Sequence, residues 1–165
     1  IGREALSFPE QEREEVIQPV PESLKLKPFL KPEIREGLVY VDESDEQAKI
    51  TIRGDGLFRS GRATIEETYH PLMTRIARAL DEVPGQVEVI GHTDNVPIRS
   101  LRFRDNWDLS RQRAASVVDL LVGQIGTPGR FVAEGRGDRE PLVPNDTKEN
   151  RARNRRVEIT LYKAR

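Results

Sequence analysis

An α+β fold, a two-layer sandwich with one mixed β-sheet covered on one face by helices, is predicted by three features of the sequence. Two long segments repeat apolar residues at helical spacing, several short ones alternate them at strand spacing, and the two kinds are interspersed along the chain. At 165 residues, the chain has room for one such domain and an arm.

Each element follows from its own pattern. Leu26, Phe29, Leu30 and Ile34 recur at helical spacing, broken by Pro28 and Pro32 and stopped by Gly37, which predicts two short helical turns. Leu38–Val41 and Ala48–Ile52 flank a polar turn and predict a hairpin. Tyr69, Leu72, Met73, Ile76, Leu80 and Val83 share one helix face, with Thr64 and Glu67 at capping-box spacing and Pro84-Gly85 as terminator. Val87 and Val89 alternate with polar residues in a strand that runs into Gly91-His-Thr-Asp94. A second helix from about Asn106 carries the stripe Ala114, Val117, Val118, Leu121 and Ile125, with Gly126 and Pro128 beyond it. A strand at Phe131, a polar loop or short helix over residues 138–150, and a last strand through Val157, Ile159 and Leu161 complete the order.

Residues 1–23 differ in kind. Residues 1–22 contain Pro9, Pro19 and Pro21 and six acids against Arg3 and Arg13, with no sustained apolar period. This composition predicts an acidic linker, with at most a short helix around residues 10–17, ahead of a domain over residues 24–165. No stretch approaches the ~18 apolar residues of a membrane span, and the chain is expected to be a piece that starts within a longer protein.

Composition removes several function classes. There is no cysteine, so disulfides, thiolate zinc sites and cysteine nucleophiles are excluded. His92 with Asp94 supplies too few donors for a metal, and His92 is expected to brace the strand end; His70 is expected on an exposed helix face. No cofactor is expected. With 27 basic and 28 acidic residues there is no global field to recruit nucleic acid. The cluster Arg151, Arg153, Arg155 and Arg156 lacks stacking aromatics, so no nucleic-acid partner is expected. Arg53-Gly-Asp55 and Arg136-Gly-Asp138 read as turn chemistry. A glycosidase needs two facing carboxylates; Asp94, Asp105 and Asp108 are candidates, but an acid in a helix's first turn already has a structural reason to be there. An enzyme is not expected.

The informative stretch is Gly91-His-Thr-Asp-Asn95 followed by Asn106-Trp-Asp-Leu-Ser-Arg-Gln-Arg-Ala114. Asp94 ends a strand, and Asn106, Leu109 and Arg113 fall at i, i+3 and i+7 on one face of the next helix, away from its buried stripe. An acid and a guanidinium so placed can bracket a ligand bearing both an ammonium and a carboxylate. On spacing alone the plainer alternatives stay open: Asp94 pairs with Arg113, Asn106 caps the helix, and Trp107 packs in the core or forms a pocket wall.

These motifs, together with Asn145-Asp-Thr147 and Arg151-Ala-Arg-Asn-Arg-Arg-Val157, resemble in order those of the OmpA-like peptidoglycan-binding domain across residues 38–163. The resemblance implies a non-catalytic grip on the meso-diaminopimelate of the peptidoglycan stem peptide. Asp94 and Arg113 would hold it, Asn106 and Leu109 would assist, and Arg151 and Asn154 would contact or orient the peptide. Arg155 and Arg156 would pair with acids or complement carbonyls.

Within that family, the long loop from Val96-Pro-Ile98 to Phe103 is similar to those of flagellar stator (MotB-type) and type VI secretion (TssL-type) domains. The blocks Leu26–Ile34, Arg53-Gly-Asp-Gly-Leu-Phe58 and Glu140–Asp146 are similar to TssL. Arg104-Asp105 departs from the family's Pro-Ser, and Asn150 from its frequent glycine.

The resemblance implies a periplasmic domain of a Gram-negative inner-membrane protein, anchored in the membrane through a segment outside this chain. It would tie a secretion complex to the cell wall and meet other subunits of that complex. A stator anchor, or a fold kept only as a docking module for secretion subunits, are the alternatives.

Overall fold

The computed structural model describes residues 25–164; the expected linker and its short helix fall outside the described residues. Two short helices, α1 (Leu26–Phe29) and α2 (Lys31–Arg35), lead into a hairpin of β1 (Tyr40–Glu43) and β2 (Gln47–Arg53). Helix α3 (His70–Asp81), strand β3 (Gly85–His92), helix α4 (Asn106–Ile125), strand β4 (Phe131–Gly137), a short helix α5 (Lys148–Asn154) and strand β5 (Arg156–Lys163) follow. The strands form one mixed sheet in the order β1-β2-β5-β3-β4, in which only β3 and β4 run parallel. None of the described helices is long and apolar enough to cross a membrane.

Strand alternation sets the two faces of this sheet. Ile50 and Ile52 of β2 lie opposite Ile159 and Val157 of β5, and Val89 and Val87 of β3 opposite Ile159 and Leu161. All are buried with Leu72, Met73, Ile76 and Leu80 of α3 and Ala114, Val117 and Leu121 of α4, so the core lies between the sheet and these two helices. The expected α+β sandwich is the observed one.

Both long helices carry the predicted apolar stripes, but their starts differ. Asp105 caps α4, its carboxylate accepting from the Asp108 amide at 2.8 Å. Asn106, one residue on, is not the cap. At the other end Gly126 takes φ +67°, the left-handed conformation that closes a helix, and its amide bonds Val122 O at 2.7 Å.

The Thr64/Glu67 capping box does not form. Ile65 bridges to Phe58, and the Glu66 amide bonds Leu57 O, so this segment is tied to the preceding loop before any helix begins. Helix α3 starts instead at His70-Pro71, where proline is tolerated because its missing amide would have no helical partner.

One close approach fixes α4 against the sheet. Gly91 and Gly135 face each other across β3 and β4. A Cβ on Gly91 would lie 2.2 Å from Ser110 O, and one on Gly135 2.5 Å from the Arg111 amide nitrogen. Only glycines let the helix backbone settle directly on the strands here. The Ser110 hydroxyl, fully buried, accepts from the Gly137 amide at 2.9 Å and locks the same spot.

Candidate functional site

The Gly91–Ser110 contact sits at the end of β3, so the residues just beyond it and those one turn along α4 face the same space. Asp94, Asn106, Leu109 and Arg113 all line one cavity of about 580 Å³. Its remaining walls come from the Asp55–Phe58 turn, Ser60-Gly61, Val96–Ile98 and Arg155. Asp55, Gly56 and Val96 are exposed, so the cavity opens to solvent.

Asp94 is 8% exposed and held from several sides. Its Oδ1 accepts from the Val96 amide at 3.0 Å, while its Oδ2 accepts from Arg155 Nη1 at 2.5 Å. Asn106 Nδ2 donates to Asp94 O at 3.3 Å and to Val96 O at 2.9 Å, which ties the start of the loop to the first turn of α4.

Arg113, 7% exposed, makes no ion pair with Asp94. Its Nε donates to Arg62 O at 2.7 Å, its Nη2 to Arg59 O at 3.3 Å, and its guanidinium stacks 4.7 Å from the Phe58 ring centre. Its Nη1 has no partner among the described residues, which leaves donors for a ligand. Burial drives its pKa down to about 10, offset by the carboxylates of Asp55 and Asp94; it stays charged at neutral pH.

Two residues at this cavity were not read as site residues from the sequence. Arg155 grips Asp55 with a two-bond fork, Nε to Oδ1 at 2.9 Å and Nη2 to Oδ2 at 2.8 Å, and uses its remaining nitrogen on Asp94. Hydrogen bonding to Asp55 and then to Asp94 outweighs burial and raises the Arg155 pKa above its ordinary value; the Arg155 bond likewise lowers that of Asp55. The backbone supports this pairing, since the Gly54 amide donates to Arg155 O at 2.8 Å. Asp55 belongs to Arg53-Gly-Asp55, read as plain turn chemistry. Its neighbour Gly56, at φ +92°, makes that turn, but nothing local announces a partner 100 residues away.

Two expected contacts lie elsewhere. Asn154 is wholly buried, its Oδ1 accepting from the Leu142 and Val143 amides and its Nδ2 donating to Val143 O and Asn145 Oδ1. With every polar atom occupied it braces the loop ahead of α5 and has nothing left to offer a peptide. Arg151, on α5, does not line the cavity. Trp107 is 38% exposed with Arg111 stacked 5.7 Å away, and it too is outside the lining.

His92 braces the strand end as expected, its Nε2 lying 3.0 Å from Glu158 Oε1. Arg156 pairs with Glu158 Oε2 at 3.0 Å and donates to the carbonyls of Asn154 and Glu140. No group of three or more His, Cys, Asp or Glu side chains among the described residues is placed to hold a metal.

The arrangement resembles known proteins in sequence and in fold. Motility protein B of Bacillus subtilis (strain 168) is 34% identical over 139 residues, which are 83% of this chain and 53% of that protein. The probable lipoprotein YiaD of Escherichia coli (strain K12) is 35% identical over 80% of this chain and 59% of its own length. The chain thus spans about half the length of the curated relatives it matches.

Among solved structures, the cell wall anchor of the T6SS from Pseudomonas aeruginosa superposes with a TM-score of 0.83 at 48% identity, over 87% of this chain and all of that one. A putative MotB like protein from Desulfovibrio vulgaris gives a TM-score of 0.77 at 27% identity, over 85% and 88% of the two chains. The OmpA family model matches residues 57–155, the span that holds Asp94, Arg113, Arg155 and the Gly91–Ser110 contact between them. On its motifs, its fold and this match, the chain belongs to the OmpA family.

Proposed function

We propose that the cavity binds the diaminopimelate of a peptidoglycan stem peptide and that the domain anchors an inner-membrane component of type VI secretion to the cell wall, as a periplasmic binder without catalysis. The observation that carries this reading is that Asp94 and Arg113 line one open cavity without being bonded to each other. A zwitterion can enter between them. Its ammonium meets Asp94, and its carboxylate meets the free edge of Arg113.

Asp94 retains capacity for that ammonium. Each carboxylate oxygen has two lone-pair sites, and each uses one on the protein, Oδ1 on the Val96 amide and Oδ2 on Arg155. Arg113 is positioned in advance by two backbone carbonyls and the Phe58 ring, so little ordering remains to oppose binding.

The secretion assignment draws its support from the 48% identity and full coverage of the T6SS cell wall anchor, against 34% or less for the motility proteins. Contact with other secretion subunits belongs to the same proposal.

The test is titration of the protein with free meso-diaminopimelate, followed by amide resonances, alongside retention on purified sacculi. Saturable shifts confined to residues around Asp94 and Arg113, with retention and no release of soluble muropeptides, support the reading. A protein that neither shifts nor is retained is a docking module instead.

A further inference from the structure

Two of the solvent-facing walls of the cavity are flanked along the chain by arginines. Ser60-Gly61 lies between Arg59 and Arg62, and Val96–Ile98 is followed by Arg99, Arg102 and Arg104. The acids around this rim are each engaged: Asp55 in the Arg155 fork, Glu66 on Arg59 Nε at 2.7 Å, and Asp105 as the cap of α4. Arg62, Arg99 and Arg102 are exposed and form no ion pair with a described residue. The interior differs, since Asp55 and Asp94 balance Arg113 and Arg155 there. A neutral pocket with a cationic collar suits a zwitterion that continues on both sides into an acidic chain.

The collar is held in place. Phe103 is buried and pins the far end of the Arg99–Arg104 segment, the Ser100 hydroxyl accepts from the Arg102 amide at 3.0 Å, and Asn106 binds Val96 O at its near end. On the opposite side, the Arg62 carbonyl is the acceptor of Arg113 Nε. The backbone that orients the pocket's guanidinium therefore also presents an arginine to solvent.

We infer that Arg62, Arg99 and Arg102 form a second recognition surface, which reads the free carboxylates of the stem peptide on either side of the residue held in the cavity. These are the α-carboxylate of its D-glutamate and, where the peptide continues past that residue, its C-terminal carboxylate. The inference rests on the diaminopimelate reading. The same cations with fully exposed Leu101 would also suit an anionic lipid surface. Direct continuity of the Val96–Ile98 and Ser60-Gly61 walls with the cavity that would hold the peptide's zwitterion favours the peptide.

The experiment compares the 165-residue protein with its triple variant R62Q/R99Q/R102Q, which leaves the Arg62 carbonyl in place. The probes are free meso-diaminopimelate, the L-alanyl-γ-D-glutamyl-meso-diaminopimelate tripeptide, its D-isoglutamine analogue, intact sacculi, and phosphatidylglycerol-containing vesicles. Free diaminopimelate should bind both proteins equally. The variant should bind the tripeptide about fivefold to tenfold more weakly, the combined effect of a few exposed ion pairs, and its sacculus retention should depend less on salt. Wild type should bind the isoglutamine analogue more weakly than the tripeptide.

Equal binding of tripeptide and sacculi by both proteins overturns the inference. So does an equal loss of free diaminopimelate, or a loss of vesicle binding with sacculus retention unchanged. If wild type ignores free diaminopimelate while sacculus retention still falls in the variant, the cavity reading fails, and the inference that rests on it falls too. If wild type is not retained on sacculi, both fall.

Discussion

Asp94 is bound by Arg155 and not by Arg113: Arg155 Nη1 reaches Asp94 Oδ2 at 2.5 Å, while the rest of the same guanidinium is forked onto Asp55. The acid at the end of β3 thus has a resident partner that aims it, and Arg113 keeps its Nη1 edge for a ligand. Sequence spacing put Asp94 with Arg113; the fold separated their roles.

Replacing either member of the proposed clamp should abolish most of the binding. Asp94→Ala and Arg113→Ala each leave the ligand's opposite charge unpaired, a loss of about 2–5 kcal/mol for such a truncation. Sacculus pull-down should weaken by well over tenfold while circular dichroism stays native. Arg113→Lys keeps the charge but not the fork, and should bind more weakly than wild type but better than Arg113→Ala.

Arg155→Ala should release Asp55. Its carboxyl pKa, held below the ordinary range by the Arg155 bond, should move back up in a carbon-detected NMR titration. The sign follows from that lowering: the pair stabilises the fold above the unfolded aspartate pKa and loses the contribution as pH falls below it. Because Asp55 is largely exposed, its share of the loss at neutral pH should be small, about 1 kcal/mol or less; the stranded, buried Asp94 adds to it.

Glu158 supplies a clearer acid dependence. Burial pushes its carboxyl up, but the His92 and Arg156 hydrogen bonds and charges outweigh burial and lower it to about 2. With the folded pKa below the unfolded one, its contribution is complete above about pH 4.5 and declines as the pH falls toward 2. Glu158→Gln should flatten the stability profile between those values in urea melts, with a cost of about 1–3 kcal/mol at neutral pH from the partners left unmatched.

Gly91→Ala should destabilise the domain by about 1–3 kcal/mol, because its Cβ would meet the Ser110 carbonyl at 2.2 Å and force α4 away from β3. A thermal melt measures the loss. Diaminopimelate affinity of the folded fraction should fall as well, since this contact sets the spacing of Asp94 and Arg113.

Asn154→Ala should cost about 1–3 kcal/mol through the stranded Leu142 and Val143 amides. Diaminopimelate affinity below the melting temperature should stay within twofold of wild type. A large loss of affinity with little loss of stability would return Asn154 to the ligand.

Local pattern alone set the layers and named four of the residues that line the cavity. Period-two alternation in Ala48–Ile52 and Val157–Leu161 and helical spacing from Leu72 to Val83 and from Ala114 to Leu121 depend only on neighbours a few positions apart, so burial follows directly from them. The strand-end Asp94 and the helix-borne Asn106, Leu109 and Arg113 were legible for the same reason.

Tertiary structure decided who bonds to whom. It set Asp55 against Arg155, turned Asn154 inward as a brace, tied Ile65 to Phe58 in place of a helix cap, and laid Ser110 on Gly91. Each of these links segments brought together only by sheet order and helix packing. A guanidinium or amide joins whichever acceptors the fold places within about 3 Å, and local patterns carry no record of that choice.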